Sequence, residues 1–202
     1  MTIDPFHGFL TKTRKGHPAG DSRSTFSELN DFVKPLQNQI ASKNEKVNLP
    51  LLVYYPVNRA VVDIPLRIRA KHCFSLLSAF EESLTSGANF RTFFEWFRER
   101  EDLKNENLKY TNSLFKTEDP QLSDPQLNAV RKALNRFMPE LKNLTVRRNP
   151  LRMEIEKEGK RLTVNQLSDG EKCLMAMVGD LARRIAIVNP ERGNPMEGYR
   201  SD

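Results

Sequence analysis

The 202-residue chain is 38% hydrophobic and 29% charged, with a formal net charge of +6 and an isoelectric point near 9.4, which is ordinary soluble globular material for one medium domain or a piece of a larger one. Its two cysteines, Cys73 and Cys173, are far apart and unpatterned, which excludes a disulfide framework and a zinc site and points to reduced thiols in a cytoplasmic protein. No apolar run reaches membrane-spanning length, the N-terminus lacks the apolar region of a signal peptide, and the mild positive charge permits but does not demand a nucleic-acid or nucleotide partner.

Residues 1–24 have no periodicity and read as a flexible segment. Thr25-Phe26-Ser27-Glu28 forms a capping box, followed by Leu29, Phe32, Val33, Leu36 and Ile40 on one helical face, with Pro35 set to kink the helix or mark its first turn. The run Leu51 to Tyr55 is apolar enough to predict a buried central strand that Pro56 ends. Helical spacing is expected from Leu66 to about Ser86, closed by Gly87. Phe90, Phe93, Phe94 and Phe97 then form an aromatic stripe, read as helix core and not as a base-stacking platform. The stretch "NENLKYTNSLFKTEDPQLS" reads as a polar loop or mobile insertion.

Asp124-Pro125 supplies an N-cap with proline at the first helical position, and Leu127, Val130, Leu134 and Phe137 carry that helix to Pro139. The period-two pairs Leu144/Val146, Met153/Ile155 and Leu162/Val164, separated by "RRNP" and "EKEGKR", predict a three-stranded antiparallel meander. It feeds into "QLSDGEKCLMAMVGDLARR", where Ser168 and Glu171 make a second capping box and Leu174, Met177, Val178, Leu181, Ala182 and Ile185 recur at helical spacing. A helix should run from about Asp169 to about Val188, stopped by Asn189-Pro190, with residues 191–202 a flexible tail. Gly170 leaves the first-turn amides open, and such a turn is a ready place for an anion such as phosphate.

A strand, then Leu167-Ser168-Asp169-Gly170-Glu171-Lys172, then a long amphipathic helix resembles the signature motif of ABC-type ATPase heads, in the branch with the SMC, RecF and overcoming-lysogenization-defect ATPases. Together with "LPLLVYYPVNRAVVDIPLRI" and "FRTFFEWFREREDLKNEN", it resembles the ATPase subunits of Septu-type and retron-associated anti-phage systems, roughly from Val47 to Pro190. The resemblance implies an α/β (α+β) fold: part of a P-loop head over residues 25–190, with a helical lobe over about 66–140 and the meander and signature helix over about 143–189. It implies ATP with magnesium as cofactor, Ser168 donating its hydroxyl and Gly170 its amide to the γ-phosphate, the dipole from Asp169 onward favouring that charge, and Lys172 adding a cation or solvating the surface. Implied partners are a second ATPase head in a homo-oligomer and an HNH-type nuclease. DNA or RNA is a further candidate, and a membrane is not.

The same resemblance exposes departures. Gly8, Gly16 and Gly20 are not followed by Gly-Lys-Ser/Thr, so the phosphate-cradling loop is absent from this sequence, and four apolar residues followed by Asp-Glu do not occur after the signature helix. The chain therefore reads as the middle of an ATPase, inactive alone, with no catalytic or metal residues assigned. His7, His17 and His72 lack ligand spacing, Arg59 and Arg67 read as surface arginines or nucleotide contacts, and "TVRRNPLR" is a modest basic patch. Three readings follow: a signature-bearing ATPase part of anti-phage defence, a RecF- or SMC-like DNA-repair ATPase of the same chemistry, and a non-catalytic interaction or nucleic-acid-binding module.

Overall fold

The computed structural model describes residues 25–43, 47–56, 74–85, 88–114 and 124–190; His7, His17, Arg59, Arg67, His72 and Cys73 lie outside them, as do the two terminal segments. The chain divides into two compact units, one holding residues up to Val47 together with the last five residues, the other spanning Asn48–Glu197. The first contributes helix α1 (Ser27–Lys43). It starts at Ser27, where the Phe26 carbonyl accepts from the Asn30 amide at 2.8 Å, and Pro35 lies inside it beyond the first turn.

The second unit contains α2 (Phe90–Leu114), α3 (Pro125–Phe137), the meander β1 (Leu141–Arg148), β2 (Leu151–Lys157) and β3 (Lys160–Thr163), and α4 (Asp169–Val188). Asp124 caps α3 through Leu127 N–H at 3.0 Å, with Pro125 at the first helical position as expected. The sheet order is β1-β2-β3, antiparallel throughout, with a bulge between Lys142 and Thr145 that leaves Asn143 at φ 52°. Glu158 and Gly159, both at positive φ, make the tight turn from β2 to β3. These elements are consistent with the α/β (α+β) class.

The core lies where α4 packs against α2 and α3. Phe90, Phe93, Phe94, Trp96 and Phe97 are all buried, and the tilted Phe90–Phe93 and Phe93–Phe97 pairs stand 5.8 and 5.7 Å apart, so the aromatic stripe is core. Gly179 sits inside α4 because a Cβ there would lie 2.9 Å from the Phe93 ring. On the sheet side, the buried Glu101 carboxylate accepts from Arg131 at 2.6 Å and from the outward-facing Val146 amide of β1 at 3.0 Å. Arg131 meanwhile stacks over Phe97 at 5.3 Å.

Four expectations are corrected. Residues 51–55 form no strand: they have no regular secondary structure, with Leu49 N–H bonded to the Val188 carbonyl and Tyr54 N–H to that of Ser83, and with Leu52 69% and Tyr54 58% exposed. An apolar run satisfies an irregular segment packed on one side as readily as a central strand. The described end of the expected 66–86 helix is a 3-10 turn, Leu76–Phe80, followed by turns to Thr85. The Arg184 guanidinium takes the Ala79 and Glu81 carbonyls that a helix would need. Helix α2 continues to Leu114 and takes in residues 105–114 of the stretch read as a loop, since no glycine or proline interrupts them, while 115–123 lie outside the described residues. Phe137, expected on the apolar face of α3, is 63% exposed because it falls on the last helical residue, past the packed stripe.

Candidate signature turn

The turn between the meander and α4 is built from local chemistry. The Ser168 backbone is extended, its Oγ accepts from Glu171 N–H at 3.4 Å, and its own N–H donates to Glu171 Oε2 at 3.0 Å. This is the reciprocal capping box that the sequence predicts. The Ser168 carbonyl starts the helix by accepting from Lys172 N–H at 2.9 Å. Ser168 and Glu171 thus satisfy two of the four first-turn amides, leaving those of Asp169 and Gly170 without a hydrogen-bond acceptor among the described residues. Both residues are exposed, and a Cβ added at Gly170 meets nothing within 4 Å.

The charges at this turn are individually compensated. Lys172 Nζ lies 2.8 Å from Asp169 Oδ1, so the cation assigned to Lys172 is engaged with its own helix. Lys157, at the end of β2, donates to Glu171 Oε1 at 2.7 Å. Its hydrogen bond, joined by those of the Ser168 hydroxyl and amide, holds the Glu171 carboxyl at a pKa of about 2. The Lys157 ammonium is raised in turn, mainly by the bond to Glu171. The Ser168 hydroxyl itself donates to Glu171 Oε2 at 2.7 Å. The structure therefore brings all five candidate residues, Ser168 to Lys172, into one exposed turn, with the serine proton turned inward.

A second polar cluster lies further along α4, one that the sequence reading treated only as a basic helix end. Asp180 is fully buried and receives Arg183 Nη2 at 2.8 Å, Arg184 Nε at 2.8 Å and the Tyr55 hydroxyl at 2.9 Å. Desolvation, reinforced by Asp180, pushes the Tyr55 hydroxyl well above the usual phenol range, and desolvation also lowers Arg183. Arg183 Nε and Nη1 are buried without hydrogen-bond partners among the described residues. The available signal was three charged residues at i, i+3 and i+4 inside an apolar stretch. Nothing local announced that the partners come from residues 55 and 79–81.

The "TVRRNPLR" patch is already paired within the chain. Arg147 and Arg152 both bind Glu154, at 2.9 and 2.7 Å, while Arg148 reaches Glu101 at 3.2 Å and also pairs with Asp102. A cleft of about 450 Å³ opens between α3 and the sheet, floored by Leu134, Met138, Ile155 and Met175. Two of its arginines, Arg131 and Arg147, are likewise spent on carboxylates. Among the described residues no group of His, Cys, Asp and Glu is arranged to hold a metal ion, and no helix is long and apolar enough to cross a membrane.

No protein-family model matches the chain. Curated relatives do, two retron ATPases among them. The retron Vc95 probable ATPase of Vibrio cholerae serotype O1 biovar El Tor is 28% identical, over 94% of this chain and 44% of its own length. The retron Ec83 probable ATPase of Escherichia coli is 28% identical, over 88% of this chain and 42% of its own length. The chain spans less than half the length of the curated relatives it matches.

Proposed function

We propose, from this likeness to retron-associated ATPases over nearly the whole chain, that the protein is part of an ATPase of anti-phage defence and contributes the signature turn of an ABC-type, P-loop head. The observation that carries the reading is the turn itself: two adjacent open amides at a helix N-terminus, a serine hydroxyl beside them, and a glycine that the fold does not require. This donor set fits the terminal phosphate of a nucleotide presented from outside. It does not fit the metal, since Asp169 and Glu171 are each committed to a lysine, so magnesium would be held by other residues.

The parts work by complementarity. The amides of Asp169 and Gly170 and the helix dipole favour negative charge at the mouth of the turn. Each charge-assisted hydrogen bond is worth about 1.5–3 kcal/mol, so two or three would make association with a second, ATP-loaded head depend on the γ-phosphate. A homo-oligomeric head pair and an HNH-type nuclease are the partners this reading implies. Plain nucleic-acid binding is less well supported, because the hairpin arginines that would carry it are already paired.

The test is an amide-resolved NMR titration of the chain with a second head, one of the two retron probable ATPases, supplied with magnesium-ATP, and with the same head supplied with magnesium-ADP alongside. Shifts at Asp169 and Gly170 that are larger with ATP and vanish in Ser168→Arg support the reading. Equal responses to ATP and ADP, or none, reject it.

A further inference from the structure

We infer that Lys157, at the end of β2, is a positioning residue that governs whether the Ser168 hydroxyl is available to a phosphate; this rests on the reading of the turn just given. The starting point is a conflict inside the turn. A serine hydroxyl has one proton, and here Glu171 Oε2 takes it at 2.7 Å. The same oxygen also accepts the Ser168 amide at 3.0 Å. Before Ser168 can donate to an incoming phosphate oxygen, Glu171 must surrender that proton. A bare carboxylate a hydrogen bond away from the phosphate would also repel it.

Lys157 addresses both difficulties through the other oxygen. Its Nζ lies 2.7 Å from Glu171 Oε1, so the ammonium draws charge away from the oxygen that holds Ser168 and offsets the carboxylate's field. The depressed Glu171 carboxyl agrees with that geometry. Two features make the arrangement more than a chance surface pair. Lys157 comes from a different element than the turn, and its place is fixed by the two-residue Glu158-Gly159 hairpin and by pairing opposite both Leu141 and Lys160. Both partners are only partly exposed, Lys157 with 27% and Glu171 with 25% of the side chain, whereas Asp169, the partner of Lys172, is 83% exposed and well screened. The carboxylate that holds the Ser168 proton is thus the one that Lys157 neutralises.

The experiment repeats that titration, with the second head supplied with magnesium-ATP, on Lys157→Met, Lys157→Arg, Glu171→Gln and the double variant Lys157→Met/Glu171→Gln, with thermal unfolding of each. Lys157→Met is expected to weaken the ATP response at Asp169 and Gly170 about tenfold, the scale of one uncompensated like charge beside the phosphate. Lys157→Arg should keep most of it. The double variant should recover it, since removing the carboxylate's charge removes the need for the lysine. A merely structural lysine would show no such recovery. Unaltered ATP response in Lys157→Met, or failure of the double variant to recover while its melting temperature is normal, overturns the inference and leaves the turn reading standing. Absence of any ATP response in the unaltered chain defeats the turn reading first, and the inference with it.

Discussion

The two ends of α4 carry almost the same kinds of residues and use them in opposite ways. At its N-terminus, Asp169, Glu171 and Lys172 sit at the surface, each paired with one partner, around backbone amides left open. Near its C-terminus, Asp180, Arg183 and Arg184 are buried, share one carboxylate, and reach segments more than 100 residues away. The first arrangement adds little to the fold and leaves donors facing out. The second ties the 49–55 and 76–85 segments to the helix and leaves nothing exposed. Charge on a helix therefore does not reveal its role; burial and the destination of each donor do.

The contrast can be broken at its strong end first. Asp180→Ala strands two buried guanidiniums and should cost about 3–5 kcal/mol, read as a large drop in the urea midpoint. Loss of under 1 kcal/mol would mean that the cluster is not holding the fold. Gly179→Val forces side-chain atoms into the Phe93 ring and should cost about 1–3 kcal/mol by thermal melting. At the other end, Ser168→Ala removes the cap and should cost about 1 kcal/mol. Gly170→Ala has open space to occupy and should leave stability unchanged or raise it by up to about 1 kcal/mol, even where it harms nucleotide response. An appreciable loss of stability at Gly170 would erase the distinction between the two ends.

Titration sharpens the same comparison. Glu171 has a folded pKa of about 2, below its ordinary 4.5, so its contribution is present above 4.5 and is lost as pH falls toward 2. Exchange protection of the first turn of α4 should weaken across that window, and in Lys157→Met it should begin to weaken at higher pH. Tyr55 behaves in the opposite sense. Its folded pKa is raised above 10, so its contribution is complete below 10 and declines as pH rises beyond it. Tyr55→Phe should flatten the alkaline limb of the stability curve.

The meander, α3 and α4 were legible because each is announced locally: period-two apolar pairs at Leu144/Val146 and Met153/Ile155, and caps at Asp124 and Ser168. The capping box was legible for the same reason. What local pattern does not carry is the choice between equally apolar alternatives. Residues 51–55 became an irregular run packed on one side, and 76–85 a 3-10 turn with further turns after Phe80, because Tyr55, Ala79 and Glu81 bind a cluster on α4. The Lys157–Glu171 contact was hidden similarly, since it depends on where the hairpin ends in space. Asn89, whose side chain caps α2 through Thr92 N–H at 3.0 Å, is a helix start that the aromatic stripe after it overshadows.

The Glu101 carboxylate has one more effect. Strand β1 borders the sheet, and a border strand offers its free amides as a template for another chain. The Val146 amide, which would sit at the centre of such a template, is already occupied by Glu101 and fenced by Arg131 and Arg148. That margin of the meander is closed to strand addition from inside, by one side chain of a neighbouring helix.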